Sequence, residues 1–325
     1  MVFKKFKPAY MKFRNAFDKP IVDLYSDRLQ KIRRRDFLQL SSMGLLGAAL
    51  PISAKELFSM DVNDQAKLSV QLYTVRNEIA KDIVGTLKRV ADIGFKYVET
   101  AFWPEAVNMQ TAAEYIKKAG LKVSSAHIEL PQGDKRRDML LAATVYGCTK
   151  MIWHGWPEDK RYSSLEGTRE LISIYNESGK FAKDHGLEFG IHNHWWEYRN
   201  KVGGKFVYEV LLEELNSDIF FEVDTYWVKV AGQDPAKIVQ RLGSRALMLH
   251  IKDGPAKWDD SLPKDNPEPM TAVGRGTQDF PSIVKAAGSH TQWMVVEMDR
   301  TKTDVFEALK DSYDYLISNK LCRVG

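Results

Sequence analysis

The sequence predicts an α/β fold of the (β/α)8 barrel type, on three observations. From Lys67 onward, eight short runs rich in β-branched and aromatic residues alternate with segments of helical period, the pattern of a parallel sheet joined by crossover helices. Several of the helical segments stop at a glycine just before the next run, where a helix-to-strand connection favours a left-handed residue. No Gly-x-Gly-x-x-Gly follows the first run, which argues against an open, doubly wound sheet.

The expected strands are 68–75, 97–101, 122–127, 150–154, 187–194, 219–224, 246–252 and 292–298. Between the first two, Ile83, Val84, Leu87, Val90 and Ala91 share one face of a helix over 82–93 that Gly94 ends. Gly120, Gly147 and Gly186 stop three more helices in the same way. Later helices are expected over 206–215, 235–242 with Pro235 in the first turn, 280–287 and 305–318. Eight strands and eight helices without an internal linker predict one closed barrel.

The chain has 325 residues, 44% of them hydrophobic, and no long Pro/Gly-rich or polar tract, so it holds ample material for one large core. Its net charge of +4 conceals an asymmetry. Residues 1–54 carry 11 Lys/Arg and 4 Asp, a net of +7, so subtraction from +4 leaves −3 for residues 55–325. A mildly acidic body speaks against nucleic acid as a partner, because phosphate backbones are held by clustered cations.

The basic end has its own pattern. Arg34-Arg35-Asp36-Phe37-Leu38 precedes an apolar, small-residue run over 40–50 and then Pro51-Ile52-Ser53-Ala54. This resembles a twin-arginine export signal and implies a leader over 1–54, cleavage near Ala54, a barrel domain over 55–325 and a periplasmic or exported protein. No cysteine follows the run and no stretch approaches the length of a membrane span, so no membrane anchor is expected. Cys148 and Cys322 lack the spacing of a disulfide scaffold or zinc knuckle and read as ordinary thiols.

In such barrels the active site gathers at the C-terminal ends of the strands. The run ends here are Glu99, His127, His154, His192 with His194, Asp224, His250 with Lys252, and Glu297. Five of the seven histidines fall there, whereas His185 and His290 precede strands and read as surface residues. A lone strand-end histidine is usually a satisfied structural residue. Many ionisable groups crowded into one mouth are costly to bury unless a cation or substrate organises them. His192, Asp224, His250 and Glu297 end the four consecutive strands five to eight and are expected to bind one divalent ion. Two imidazoles and two carboxylates suit Mn, Zn, Co, Fe or Ni better than Mg or Ca. Trp153, Trp156, Trp195, Trp196 and Trp227 crowd the same ends, and aromatic faces serve both as carbohydrate platforms and as packing beneath loops.

The motifs Gln71-Leu-Tyr-Thr-Val-Arg76, Gly94-Phe-Lys-Tyr-Val-Glu99, His192-Asn-His-Trp-Trp-Glu197, Glu222-Val-Asp-Thr-Tyr-Trp227, His250-Ile-Lys-Asp253, Gly274-Arg-Gly276 and Val296-Glu297 resemble the sugar phosphate isomerase/epimerase superfamily of xylose isomerase-like TIM barrels. The resemblance covers residues 67–318. It implies metal ligands at His192, Asp224, His250 and Glu297, where the family has Glu, Asp, His and Glu. The first position therefore departs from the pattern, and His194 is its rival for that role. The implied chemistry is isomerisation or epimerisation of a sugar or keto-sugar through an enediolate formed next to a carbonyl, with Glu297 as base. Lys252, His154 and Glu197 are expected to return the proton or assist a leaving group. Glu99, His127, His194, Trp227 and Arg275 are the expected substrate contacts. With one of the family's paired glutamates missing, elimination from a 3-keto-glycoside or an inosose is the alternative. A non-catalytic sugar-binding barrel and an endonuclease-type repair enzyme are more remote. A small-molecule sugar partner is implied, and a homo-oligomer is allowed.

Overall fold

The computed structural model describes residues 65–260 and 268–325; the expected leader, with its arginine pair and cleavage position, lies outside the described residues. Eight parallel strands close into a barrel in sequence order. They are β1 (Lys67–Gln71), β2 (Tyr97–Thr100), β3 (Lys122–Ile128), β4 (Lys150–Trp153), β5 (Glu188–His192), β6 (Phe220–Asp224), β7 (Ala246–Ile251) and β8 (Trp293–Val296). The crossover helices are α1 (Ile83–Ile93), α2 (Met109–Lys118), α3 (Lys135–Tyr146), α4 (Leu165–Asp184), α5 (Val207–Glu214), α6 (Pro235–Leu242), α7 (Phe280–Ala287) and α8 (Val305–Ser318). Four of the helix stops expected from glycine take positive φ, and Gly147 is a left-handed C-cap at φ 65°, ψ 31° whose N–H bonds to Ala143 O. A side chain there would meet its own carbonyl.

Successive residues of a strand point to opposite faces, and this alternation sorts the barrel interior into layers. The lowest is apolar: Ile152 of β4, Phe220 of β6, Met248 of β7 and Trp293 and Val295 of β8 form a separate buried cluster. Two residues further along the same strands stand His154, Glu222 and His250, and two further again Asp224 and Lys252. Beside Phe220, β5 carries Gly190, where an added Cβ would stand 2.3 Å from the Phe220 ring. The missing side chain is what lets that ring fill the barrel floor.

Most strands end a residue or more before their apolar runs, and in β1 and β5 the early end shapes the site. Residues 72–75 form a 3-10 turn, not a continuation of β1. β5 stops at His192, because Asn193 replaces the ladder with its side chain: Oδ1 accepts from Asp224 N (2.9 Å) and Nδ2 donates to Asp224 O (3.3 Å). His194 thus lies in the following turn and stacks on Trp196, with centroids 4.4 Å apart. Glu197, expected as a proton carrier, is buried beneath this turn and accepts from His194 N (3.0 Å). Burial pushes its carboxyl up to about 8.

Two outcomes follow from this packing. Gly190→Ala should lower stability by about 1–3 kcal/mol, as overpacking of a filled core does, measured by chemical denaturation; a wild-type midpoint would show that the Phe220 ring has room to yield. Between about pH 4.5 and 8 the folded state keeps a proton on Glu197 that the unfolded chain has released, so this group makes stability fall as pH rises through that window. The melting temperature of Glu197→Gln, compared with wild type, should therefore improve from pH 5 to pH 8. A constant difference across that range would contradict a buried, neutral Glu197.

Candidate active site

Lys252, just beyond the end of β7, is the centre of the upper layer. Its buried ammonium lies 2.7 Å from Glu297 Oε2, 3.0 Å from Asp224 Oδ2 and 3.1 Å from Asp299 Oδ2. Burial disfavours its charge, but Asp224, Asp299 and Glu297 outweigh burial and hold its pKa well above the ordinary lysine range. The same contacts act in reverse on Glu297: burial opposes ionisation, yet Lys252 and His250 keep the carboxyl well below the usual range. Asp224 divides its two oxygens. Oδ1 caps the helical turn Thr225–Val230 by accepting from Tyr226 N (2.9 Å) and Trp227 N (3.0 Å), which leaves Oδ2 turned into the barrel, buried and without a well-directed hydrogen bond. Burial pushes Asp224 up to about 6 against the pull of Lys252 and His250.

Beneath lies a ring of imidazoles and carboxylates. His250 Nε2 is 2.7 Å from Glu99 Oε1 and 3.1 Å from Glu222 Oε2, while His250 Nδ1 is 2.8 Å from Glu297 Oε2. His127 Nε2 lies 2.7 Å from Glu222 Oε2 and 3.1 Å from Glu99 Oε1. Gln71 Nε2 donates to Glu99 Oε1 (2.7 Å), and Ser125 donates to the other Glu99 oxygen. Burial lowers the pKa of His127, but Glu99 and Glu222 together raise it to about 9. His192 is held neutral by burial and by the neighbouring cations, His250 foremost.

The upper layer opens into a cavity of about 200 Å³ whose wall includes His127, His154, His192, His194, Trp227, Lys252 and Glu297. Of the expected site residues, these seven share one space. Glu99, Asp224 and His250 are fully buried just below it, so Glu99 supports imidazoles and does not stand in the pocket wall. Glu197 and Arg275 are absent from the wall. The Arg275 side chain is 70% exposed and lies 3.5 Å from Asp311. Its loop wraps Asp253, whose carboxylate accepts from Gly254, Gly274, Gly276 and Gln278 N–H groups at 2.8–3.1 Å. A Cβ on Gly276 would stand 2.1 Å from Asp253 Oδ1, so the two glycines serve backbone approach to Asp253, and Arg275 is turned outward. Asp253 is engaged with these amides, which explains why Lys252 pairs instead with Asp224, Glu297 and Asp299.

His154 is placed by the chain after β4. Its Nδ1 accepts from Trp156 N (3.1 Å), and Nε2 lies 3.4 Å from Glu129. Burial, reinforced by His127, lowers it to about 4, so the ring is neutral with its proton on Nε2. Gly155 takes φ 71°, and a Cβ there would stand 2.7 Å from His192 O, so only glycine lets this loop close against β5. Phe102 and Trp156 also line the cavity and stay 58% and 41% exposed, a conspicuous exposure for such large apolar side chains.

Reading only the last residue of each strand misses Glu222 and Asp299. Glu222 stands two residues from Asp224 on the same face of β6, where the period of two finds it, whereas Asp299 lies past the end of β8 at Val296, where no strand period applies. The expected four-residue metal set is also rearranged. Donor atoms of Asp224, His250 and Glu297 lie within 4.8 Å of one another, and those of His127, His192, Glu222 and His250 form a second such group. His192 leans to the lower group, with Nδ1 3.2 Å from Glu222 Oε2 and Nε2 3.9 Å from Asp224 Oδ2. Two carboxylates and an imidazole converge in the upper group, with Asp224 Oδ2 met by the Lys252 ammonium at 3.0 Å, and this donor set suits a metal ion.

Comparison with known proteins agrees with this architecture. The chain is 27% identical to the inosose dehydratase of Mesomycoplasma hyopneumoniae strain J over 283 residues, 80% of this chain and 88% of that protein. Against the strain 7448 inosose dehydratase the identity is again 27%, but the chain spans only 57% of that relative's length and the match covers 50% of this chain. A solved structure described as a sugar phosphate isomerase/epimerase from Parabacteroides distasonis superposes with a TM-score of 0.65, at 23% identity, over 79% of this chain and 100% of that one, a likeness of fold. The profile described as xylose isomerase-like TIM barrel matches residues 87–318. The chain belongs to the xylose isomerase-like TIM barrel family.

Proposed function

We propose that this protein is a divalent-metal-dependent enzyme of the isomerase/epimerase type that moves a proton next to the carbonyl of a sugar or keto-sugar. The reading is carried by one observation: Asp224, His250 and Glu297 bring their donor atoms within 4.8 Å of one another at the edge of a cavity walled by Lys252 and histidines. Asp224, His250 and Glu297 would hold the ion, with His192 within reach. When bound, it supplies a Lewis acid that polarises the carbonyl and stabilises the enediolate oxygen.

The remaining work falls to side chains. Glu297 is ionised, and both of its close contacts fall on Oε2, so proton acceptance belongs to Oε1. Its basicity is suppressed while Lys252 sits 2.7 Å away. A substrate oxygen that draws Lys252 aside restores that basicity, which couples substrate binding to activation of the base. In an eight-stranded barrel β4 stands opposite β8, so His154 lines the cavity from the side away from Glu297, and its Nε2–H would turn from Glu129, 3.4 Å away, to deliver a proton there. The buried Trp227 Nε1 has no hydrogen-bond partner and Trp227 lines the cavity, which makes it a candidate donor to a sugar hydroxyl. Phe102 and Trp156 offer apolar faces to the ring.

A second reading, a lyase or dehydratase acting on a 3-keto-glycoside or an inosose, is favoured by His192. The place where a two-base epimerase carries its other glutamate is occupied here by a neutral imidazole leaning towards Glu222. Proton removal by Glu297 and protonation of a leaving group by His154 would then act on opposite faces. The similarity to inosose dehydratases supports the same reading. The export expected from the arginine pair remains part of the proposal: a periplasmic enzyme would meet unphosphorylated sugars.

Incubation with Mn²⁺ and candidate keto-sugars in D₂O separates these readings by NMR. Deuterium next to the carbonyl without bond cleavage identifies the isomerase or epimerase, and an unsaturated ketone identifies the lyase. Exhaustive chelation should abolish turnover and Mn²⁺ should restore it; full activity in metal-free protein would overturn the proposal. Glu297→Gln should lower kcat by at least about 10²-fold, the scale of a lost general base, whereas Arg275→Ala should leave kcat and KM unchanged. Trp156→Ala should raise KM with little change in kcat, as loss of uniform binding does.

A further inference from the structure

We infer that Glu99 and Glu222 are positioning residues that hold a proton on the lower nitrogen of His250 and of His192, so that the upper nitrogen of each ring, on the side of Asp224 and Glu297, is the one an ion takes. The inference rests on the metal reading above, and concerns how this chain prepares its own ligands.

An imidazole that binds a cation through one nitrogen holds its proton on the other, and an acceptor at that second nitrogen fixes both tautomer and ring orientation. His250 is built this way. Nε2 faces two acceptors below, Glu99 Oε1 at 2.7 Å and Glu222 Oε2 at 3.1 Å, while Nδ1 faces the upper layer, where its one partner is Glu297 Oε2 at 2.8 Å, itself an expected ligand. His192 repeats the arrangement more loosely: Nδ1 lies 3.2 Å from Glu222 Oε2, poorly directed, and Nε2 is turned to Asp224. The two carboxylates are themselves oriented. Gln71 and Ser125 donate to Glu99, and His127 donates to Glu222 at 2.7 Å. Strand periodicity makes the arrangement economical, since Glu222 stands two residues below Asp224 on β6, and its register partner His192 ends β5.

The rival account places a second ion among His127, His192, Glu222 and His250, whose donor atoms also lie within 4.8 Å of one another. Ligands bound at about 2.0–2.1 Å in a tetrahedron stand roughly 3.3–3.4 Å apart. The 2.7 Å separation of His127 from Glu222 in the lower group and the 2.8 Å separation of His250 from Glu297 in the upper one are both those of charge-assisted hydrogen bonds, so the number of ions bound separates the two accounts.

Titration of the purified full chain with Zn²⁺ by calorimetry, alongside Glu222→Gln and the Glu99→Gln/Glu222→Gln double variant, tests this. One ion per wild-type chain is expected, with affinity reduced about 10–100-fold in the variants and circular dichroism unchanged. For wild type, ¹⁵N-histidine NMR with Zn²⁺ should show His250 metal-bound at Nδ1 and protonated at Nε2, a readout that needs no variant to fold. Unchanged affinity in a folded double variant, or protonation of His250 at Nδ1, would overturn the inference alone. So would two ions in wild type with one lost in Glu222→Gln, since Glu222 would then be a ligand. No Zn²⁺ binding by wild type overturns the metal reading and the inference with it.

Discussion

The structure depends on keeping buried charge neutral. Lys252 is a fully buried ammonium held among Asp224, Glu297 and Asp299, and below it three histidines meet Glu99 and Glu222. Removing one partner from such an arrangement typically costs about 3–5 kcal/mol, because it leaves its neighbour charged and dry. Apolar side chains of equal volume often stabilise a core as well or better, so the cluster is a burden on the fold, which accords with the function proposed above. Its charges are unequal: Glu297 is ionised by the cations beside it, burial pushes Asp224 up to about 6, and His154 and His192 are neutral.

The fold accommodates this burden by stratification. An apolar floor of Ile152, Phe220, Met248, Trp293 and Val295 closes the lower barrel, and the polar layers stand above it towards the open end. Loops then finish the site from the backbone outward. The Asn193 amide ends β5 against Asp224, Asp224 caps the turn that carries Trp227, and Asp253 gathers the amides of the loop that follows β7. In each case a short polar side chain substitutes for a missing backbone partner, which places a pocket residue without a long lever arm. The result is a carboxylate and an imidazole on opposed strands, Glu297 at the end of β8 and His154 at the end of β4, both lining the cavity with Lys252.

Much of this was legible before folding. Apolar runs, helical periods and glycine stops carried the eightfold alternation, because strand and helix periodicity are local properties of the backbone. Convergence of His192, Asp224, His250 and Glu297 at one mouth also follows from strand order once the barrel is accepted. Glu222 was encoded in the period of two, yet nothing local distinguishes an inward carboxylate from an exposed one until the barrel has closed, and Asp299, past the end of β8, had no period to mark it. Glu197 and Arg275 show the converse. Their residue types suit proton transfer and anion binding, but one accepts a backbone hydrogen bond beneath a turn and the other points to solvent.

The sequence alone therefore determined the architecture and the set of strands that meet at the site. Only the tertiary structure decided the partners: that Lys252 pairs with Asp224, Glu297 and Asp299 rather than with Asp253, and that His192 leans to Glu222. The reason is physical. Periodicity acts over a few residues of chain, whereas the pairing of buried charges is set by angstrom distances between groups from different strands, and those distances exist only in the closed barrel.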